Sequence, residues 1–215
     1  MSLSIADIRK DYTLKTLSEE TVAGDPVSQF GTWFGEALEA RVIEPNAMHL
    51  ATLDRHQHPN ARIVLLKSFD PDGFTFFTNY LSEKGNELTR YPFASLTFFW
   101  PELERQVRIQ GEVKRISEAD SDVYFQSRPR ASQIGAWVSN QSSVIGSRQE
   151  LEEKQQLIEA QFEGREVPRP PHWGGFRLTP DRVEFWQGGA GRLHDRILYT
   201  QTESAGEWRI SRLSP

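Results

Sequence analysis

The sequence predicts a mainly β fold of the α+β kind: an antiparallel β-barrel decorated by helices. Three observations carry this. Between about residues 47 and 116 the apolar pattern is of strand type, in short β-branched or aromatic runs separated by turn chemistry. Two capped helical segments then interrupt it. From "GGFRLTP" to "EWRISRL" the chain returns to short strand-like runs. Five strands, a helical insertion and about four more strands make an antiparallel barrel the economical arrangement. No internal repeat or low-complexity linker divides the chain, so residues 1–215 are expected to form one domain.

The elements follow in order. Residues 1–24 are polar with a weak helical pattern and are expected to be a mobile arm. Asp25-Pro26 is an N-cap followed by proline at the first helical position. "VSQFGTWFGEALEARV" then places Phe30, Trp33, Phe34, Ala37, Leu38 and Val42 on one helical face, and Pro45 ends it. "MHLATLD", "ARIVLLKSF", "FTFFTN", "ASLTFFW" and "RQVRIQGEVKRI" are the first five strands, with "DRHQHPN" and "DPDG" as turns. Ser82 is placed to cap a short helix beginning "EKGNEL". Ser117 caps "EADSDVYFQS", and Pro129 lies past its end. Ser147 with Glu150 forms a capping box before "RQELEEKQQLIEAQFE", and Gly164 suits the position after that helix. "GGFRLTP", "DRVEFWQ", "HDRILYTQ" and "EWRISRL" are the closing strands.

Composition narrows the function. The net charge of −5 argues against a general nucleic-acid binder. The absence of cysteine excludes disulfides, a thiolate metal site, a catalytic thiol and a flavin attached through sulfur. No apolar run approaches the roughly 18 residues of a membrane span, and "MSLSIADIRKDY" lacks the apolar core of a signal peptide. A cytoplasmic protein is expected.

The segment "FWQGGAGRLHDRI" carries the strongest chemical signal. Read as a strand, it points Arg192, His194 and Arg196 to one face, roughly 7 Å between neighbours, and Leu193, Asp195 and Ile197 to the other. Like charges so arranged repel, so either an anion covers them or they all face water. Elsewhere, Arg62 and Lys67 bracket an apolar strand; they either flank it as solvated charges or make two separate anion contacts. The turn into the Ser82 helix offers N–H groups and Lys84 to a phosphate, although Glu83 opposes an anion there and most such turns bind nothing. Tyr124 and Arg128 share a helix face with Ser132 just beyond, a set that suits phosphate oxygens unless Tyr124 is core and the arginines solvated. Gln141-Ser142-Ser143 is either a polar site or a simple turn. The five histidines show no metal-ligand spacing, no G-x-S-x-G elbow is present, and "GGAG" opens no dinucleotide-binding helix. With no evident carboxylate base or nucleophile, this basic, aromatic-lined set suits chemistry carried by a bound organic cofactor.

"VEFWQGGAGRLHDR" closely resembles the signature of the pyridoxamine/pyridoxine 5′-phosphate oxidases. "RIVLLK", "ERQVRIQG", "SRPRASQIGAWVSNQSS" and "HWGGFRL" resemble further family blocks in the same order, so the likeness spans nearly the whole chain. It implies an FMN-binding split β-barrel working as a homodimer, with two FMN sites built from both subunits. The reaction implied is oxidation of pyridoxine or pyridoxamine 5′-phosphate to pyridoxal 5′-phosphate, with O2 re-oxidising the flavin to give hydrogen peroxide. Carried over residue by residue, Arg62, Ile63, Val64, Leu65, Leu66 and Lys67 contact FMN. Phe77, Thr78 and Lys84 hold its ribityl-phosphate side, and Gln106, Gln141, Ser142, Trp186 and Arg196 complete that site. Lys67 also reaches the substrate, whose phosphate Tyr124, Arg128 and Ser132 clamp. Arg192 and His194 lie over the substrate ring as the catalytic pair, with Leu193 between them. His194 is expected to act as a neutral imidazole that orients the substrate or accepts a proton, with Arg192 as its electrostatic partner. Arg9, Lys10, Asp11 and Tyr12 resemble a substrate-covering lid. No metal, nucleic acid or membrane partner is implied.

Two departures stand out. Glu83 occupies a position where the family usually has arginine, which weakens an FMN phosphate site unless the side chain turns outward. Phe77 replaces a frequent tyrosine, at the cost of a hydroxyl. The rival to an enzyme is a non-catalytic module of the same fold that carries flavin or pyridoxal phosphate without turnover. A single-stranded nucleic-acid binder using aromatic and basic strand faces is a third reading, against which the acidic balance speaks.

Overall fold

A computed structural model describes residue 5 and residues 11–204 and 206–215; Arg9 and Lys10 lie outside the described residues. Two compact units are present, one of residues 1–49, 95–111 and 180–215, the other of residues 50–94 and 112–179. The strands, numbered in chain order from β1, form a nine-stranded sheet of order β2 (Pro59–Leu65), β1 (Ala47–Leu53), β5 (Phe93–Trp100), β6 (Arg105–Arg115), β7 (Trp173–Gln187), β4 (Gly73–Asn79), β3 (Ser68–Asp70). Off this path, β8 (Asp195–Gln201) pairs β7, and β9 (Trp208–Arg212) pairs β8, both antiparallel. Among the described residues, no helix is long and apolar enough to cross a membrane.

In the first unit, α1 (Pro26–Glu39) starts where expected, because the Asp25 carboxylate accepts the N–H groups of Val27 and Ser28. Its apolar face buries Phe30, Trp33 and Ala37. Phe30 packs on Phe98 at 5.0 Å between centroids, and Trp33 meets Phe185 edge-on at 5.2 Å. Burying each such ring contributes about 1.5–3 kcal/mol. The expected arm is anchored from residue 13 onward. Thr13 and Leu14 donate to Glu104, Leu17 is buried, and Tyr199 Oη donates to the Ala23 carbonyl at 2.7 Å.

In the second unit, the run "ARIVLLKSF" is two strands rather than one. The chain breaks at Leu66 and Lys67 because Leu66 is buried and Lys67 N–H bonds back to Thr75 carbonyl at 2.9 Å, folding β3 onto β4. Gly73 closes that hairpin at φ +136°, where a Cβ would lie 2.1 Å from the Leu178 carbonyl oxygen, so only glycine fits. Helices α2 (Glu83–Arg90), α3 (Glu118–Ser127) and α5 (Arg148–Gln161) carry the expected caps Ser82, Ser117 and Ser147. Helix α4 (Arg130–Val138) is not apparent from the sequence, where Pro129 reads only as a stop. Pro129 is instead the residue that starts α4, and Ile134 and Val138 bury against Phe125, Phe162, Val167 and Trp173.

Two further expectations are corrected. "GGFRLTP" and "DRVEFWQ" form one uninterrupted 15-residue strand, β7, despite Pro180. Its register to β4 ends at Leu178 and its register to β8 starts at Arg182, so proline's missing N–H removes no bond from either ladder. The strand alternation read across residues 192–196 holds only from Asp195. Ala190–Arg192 is a 3-10 turn, with Gly191 at φ 60° and Arg192 at φ 64°.

Candidate functional site

The second unit contains a cleft of about 800 Å³. One wall is Arg62, Ile63, Val64, Leu65 and Lys67; the floor is Phe77, Thr78 and Trp173; Lys84, Tyr124, Arg128, Ser132 and Gln141 complete it. The sequence-predicted flavin and phosphate residues of this unit therefore converge, with two exceptions. Leu66 is buried away from the cleft, and Ser142 lies beside it at φ 73°, its hydroxyl accepting Glu83 N–H. Ile63 is 64% exposed on the strand that ends the sheet, an apolar side chain awaiting cover.

Arg62 is held by a buried carboxylate. Its guanidinium donates to Glu87 Oε2 at 2.9 Å and to Thr52 Oγ1. Glu87 also accepts from Thr52 at 2.5 Å and Asn60 at 2.8 Å. Burial alone pushes the Glu87 carboxyl up, but the Thr52 and Asn60 hydrogen bonds and the Arg62 charge outweigh it and hold the pKa below its usual value. Glu87→Ala strands a largely buried cation. It is expected to lower the unfolding free energy by about 3–5 kcal/mol in a urea titration at neutral pH. Because the folded pKa is depressed, that contribution is present above the unfolded value of about 4.3 and fades as pH falls through the folded value. The difference between wild type and variant should therefore shrink in acid.

Lys84 sits in the first turn of α2, with its ammonium pKa lowered by burial and then by repulsion from Arg62. It makes no ion pair among the described residues. Lys84 and Arg62 line one cleft, and Glu87, paired with Arg62 and acting on Lys84 at longer range, offsets only part of their charge, which leaves a place for an anion. Glu83 is not among the residues lining this cleft, although its charge still acts on Lys84. That side chain is exposed and lines a separate hollow with Asp54, Arg55, Asn86 and Arg90.

The far end is aromatic. Phe77 stacks on Tyr124 at 3.9 Å and on Trp173 at 5.3 Å. Arg128 lies over Trp173, Cζ 4.5 Å from the ring centroid. Its Nη1 is buried and has no hydrogen-bond partner. Burial pushes this guanidinium's pKa down, with Tyr124 opposing. Arginine stays protonated in proteins, so the cleft holds a positive group whose donor is unsatisfied. Ser132 stands one turn along, in α4.

The remaining sequence-predicted residues belong to the first unit. Trp186 and His194 lie 4.7 Å apart, and Tyr12 meets them edge-on at 5.6 and 5.9 Å. Gly189 N–H donates to His194 Nδ1 at 3.1 Å. That nitrogen is therefore an acceptor, and the ring proton resides on Nε2. Arg192 and Leu193 are exposed, and Asp11 begins the described arm. Gln106 is half-buried on β6. Arg196 is not a bare cation on a basic face: it pairs with buried Glu184 at 2.8 Å, which raises its pKa, and Arg108 takes the other carboxylate oxygen at 3.3 Å. Glu184 thus supplies the anion expected over Arg196. Sequence reasoning missed both Glu184 and Glu87, since a single carboxylate in a strand or a helix carries no local sign of burial.

Comparison with known proteins identifies the family and the fold. Residues 34–162 match the family model for pyridoxamine 5′-phosphate oxidase, and residues 173–215 match the pyridoxine 5′-phosphate oxidase C-terminal dimerisation region. The chain is 56% identical to a pyridoxine/pyridoxamine 5′-phosphate oxidase of Cyanothece sp. over 215 residues, the full length of both. It is 53% identical to that of Paraburkholderia phytofirmans over 212 residues, 99% of each. Among solved structures, PhzG from Burkholderia lata, in complex with tetrahydrophenazine-1-carboxylic acid, superposes with a TM-score of 0.87 at 30% identity, covering 94% of this chain and 99% of that one. An FMN-binding protein of Nostoc punctiforme related to pyridoxamine 5′-phosphate oxidase shares the fold at a TM-score of 0.69 and 18% identity, over 86% of this chain and 96% of its own. The expected split β-barrel with helical decoration is the fold adopted. The chain belongs to the pyridoxine/pyridoxamine 5′-phosphate oxidase family.

Proposed function

We propose that this protein uses FMN and O2 to oxidise pyridoxine 5′-phosphate, or pyridoxamine 5′-phosphate with water consumed and ammonia released, to pyridoxal 5′-phosphate. The observation that carries the reading is Arg128, which lines the cleft and holds a buried guanidinium nitrogen with no partner, a donor that a phosphate-bearing ligand would satisfy. Bound FMN would supply the redox chemistry: it would accept a hydride from the substrate carbon, and that hydride together with a proton lost from the substrate would reduce O2 to hydrogen peroxide. The chain's own residues bind and orient. Lys84 and Arg62 offer the cations for the flavin phosphate, with Thr78, Gln141 and Ser142 as polar neighbours. Ile63, Val64 and Leu65 offer apolar cover, and Lys67 reaches both ligands. Tyr124, Arg128 and Ser132 hold the substrate phosphate. In the first unit, His194 presents its Nε2 proton to the substrate, Arg192 supplies positive charge, and Trp186, Gln106 and Arg196 frame the flavin. Asp11 and Tyr12 cover the substrate. The match to a dimerisation region supports a homodimer, and FMN sites formed at its interface would bring these residue sets to one reaction.

The test is direct. The purified protein should be yellow, and peroxide should appear under air when pyridoxine 5′-phosphate is added. A colourless chain that refuses added FMN would refute the flavin assignment. A yellow protein giving no peroxide with either phosphorylated vitamer would support a non-catalytic module instead. Because Glu83 lines a different hollow, Glu83→Arg should change the FMN dissociation constant by no more than about twofold, as surface charges do. A clear tightening would place Glu83 at the phosphate after all.

A further inference from the structure

The arm is fastened to the first unit through the backbone of one of its residues, Leu17. Asp195 Oδ2 accepts Leu17 N–H at 2.9 Å, and Arg212 Nη2 donates to the Leu17 carbonyl at 2.9 Å. The two gripping side chains also grip each other, Arg212 Nη1 to Asp195 Oδ1 at 2.6 Å. Glu19, two residues further along the arm, takes Arg212 Nη2 at 2.8 Å and its Nε at 3.1 Å. Both carboxylate oxygens of Asp195 and all the nitrogens of Arg212 are thereby committed to the arm or to each other. Arg212 is held charged by Glu19 first and Asp195 second.

The other end of the fastened stretch is Tyr12, whose ring rests on Trp186 and His194. Gly188 leaves the room for it: a Cβ there would lie 2.6 Å from Tyr12 Cγ. Between the two ends, Thr13 and Leu14 donate to Glu104 Oε2 at 2.9 and 3.2 Å, so the intervening chain has little slack. Asp195 is also the residue after His194. One backbone segment therefore presents the imidazole with one residue and holds the arm with the next.

We propose that Asp195 and Arg212 are positioning residues that clamp the Leu17 backbone, one at its N–H and one at its carbonyl, and so keep Tyr12 seated over His194. They touch neither the cleft nor the ring of His194. Their effect is on how long the arm stays closed, hence on substrate retention rather than on the chemical step. As far as it concerns substrate, this inference rests on the oxidase reading above.

The experiment compares holoenzyme carrying Asp195→Asn, Arg212→Met or Glu19→Gln with wild type. Two quantities are read: steady-state kinetics with pyridoxine 5′-phosphate, and the rate at which trypsin cuts after Lys15, followed by mass. Losing a charge-assisted contact should raise KM about tenfold in the first two variants, with kcat within about twofold and flavin content unchanged. Cleavage after Lys15 should accelerate by a similar factor. Glu19→Gln, on an exposed residue that cannot upset the core, should accelerate it about threefold. Arg212→Lys should restore part of the wild-type KM. Unaltered KM and unaltered cleavage in all three variants would overturn the clamp, as would a fall in kcat with KM constant. If wild type oxidises neither phosphorylated vitamer, the oxidase reading fails while the Lys15 cleavage rates still decide the clamp.

Discussion

Arg128→Ala is expected to raise the KM for pyridoxine 5′-phosphate about a hundredfold, roughly 2.7 kcal/mol of binding. A hydrogen bond to a charged group contributes about 1.5–3 kcal/mol, and Arg128 enters the complex with a buried donor already stripped of water and unpaired. Nothing has to be broken to make the new bond, so most of its value appears as affinity. The phosphate is remote from the carbon that is oxidised, so ground state and transition state lose the contact alike and kcat should change little. Flavin content should be unchanged. Folding stability should move only slightly, because removing an uncompensated buried cation offsets losing its stacking on Trp173. Arg128→Lys should recover only part of the affinity, since an ammonium lacks the planar fork. An unaltered KM in Arg128→Ala would remove this residue from the phosphate site.

Arg192→Ala is expected to lower kcat about a hundredfold while FMN is retained. A pre-aimed charge at the reacting centre typically contributes that much. The residue is exposed, makes no ion pair among the described residues, and its backbone is held at φ 64°, a conformation costly for a side-chain-bearing residue. That cost is consistent with a guanidinium kept in place for function rather than for stability. Arg192→Gly is the control: it removes the charge but relieves the backbone. Equal loss of turnover in both variants assigns the effect to charge. Loss of flavin in step with turnover would contradict the role.

Residues whose function rests on local pattern were readable in advance. Asp25, Ser82, Ser117 and Ser147 cap helices because a short polar side chain reaches N–H groups two or three residues ahead, a relation contained within one turn. Tyr124, Arg128 and Ser132 were legible as a set from their spacing of four, but not through a shared helix face: α3 ends at Ser127, Arg128 is extended and Ser132 stands in α4, and the turn between the two helices brings them to one cleft. Helix α4 was hidden because proline marks a helix start as readily as a stop, and only the apolar cluster around Phe125 and Trp173 decides between them. The break of "ARIVLLKSF" was hidden for a similar reason, since it depends on where Lys67 N–H finds its acceptor across the hairpin.

By itself, then, the sequence determined most of the strands and helices, the absence of thiol chemistry, the family signature and most residues around the cleft. The tertiary structure alone decided which charges are spoken for. Arg196 and Arg62 are tied to Glu184 and Glu87, residues 12 and 25 positions away, whereas Arg128 keeps an unsatisfied donor. It also decided that Glu83 turns from the cleft and that Asp195 and Arg212 meet at the arm. Hydrophobic period and capping act over a few residues and are written along the chain. Whether a buried charge has a partner depends on groups brought together from distant positions, and no local pattern records that.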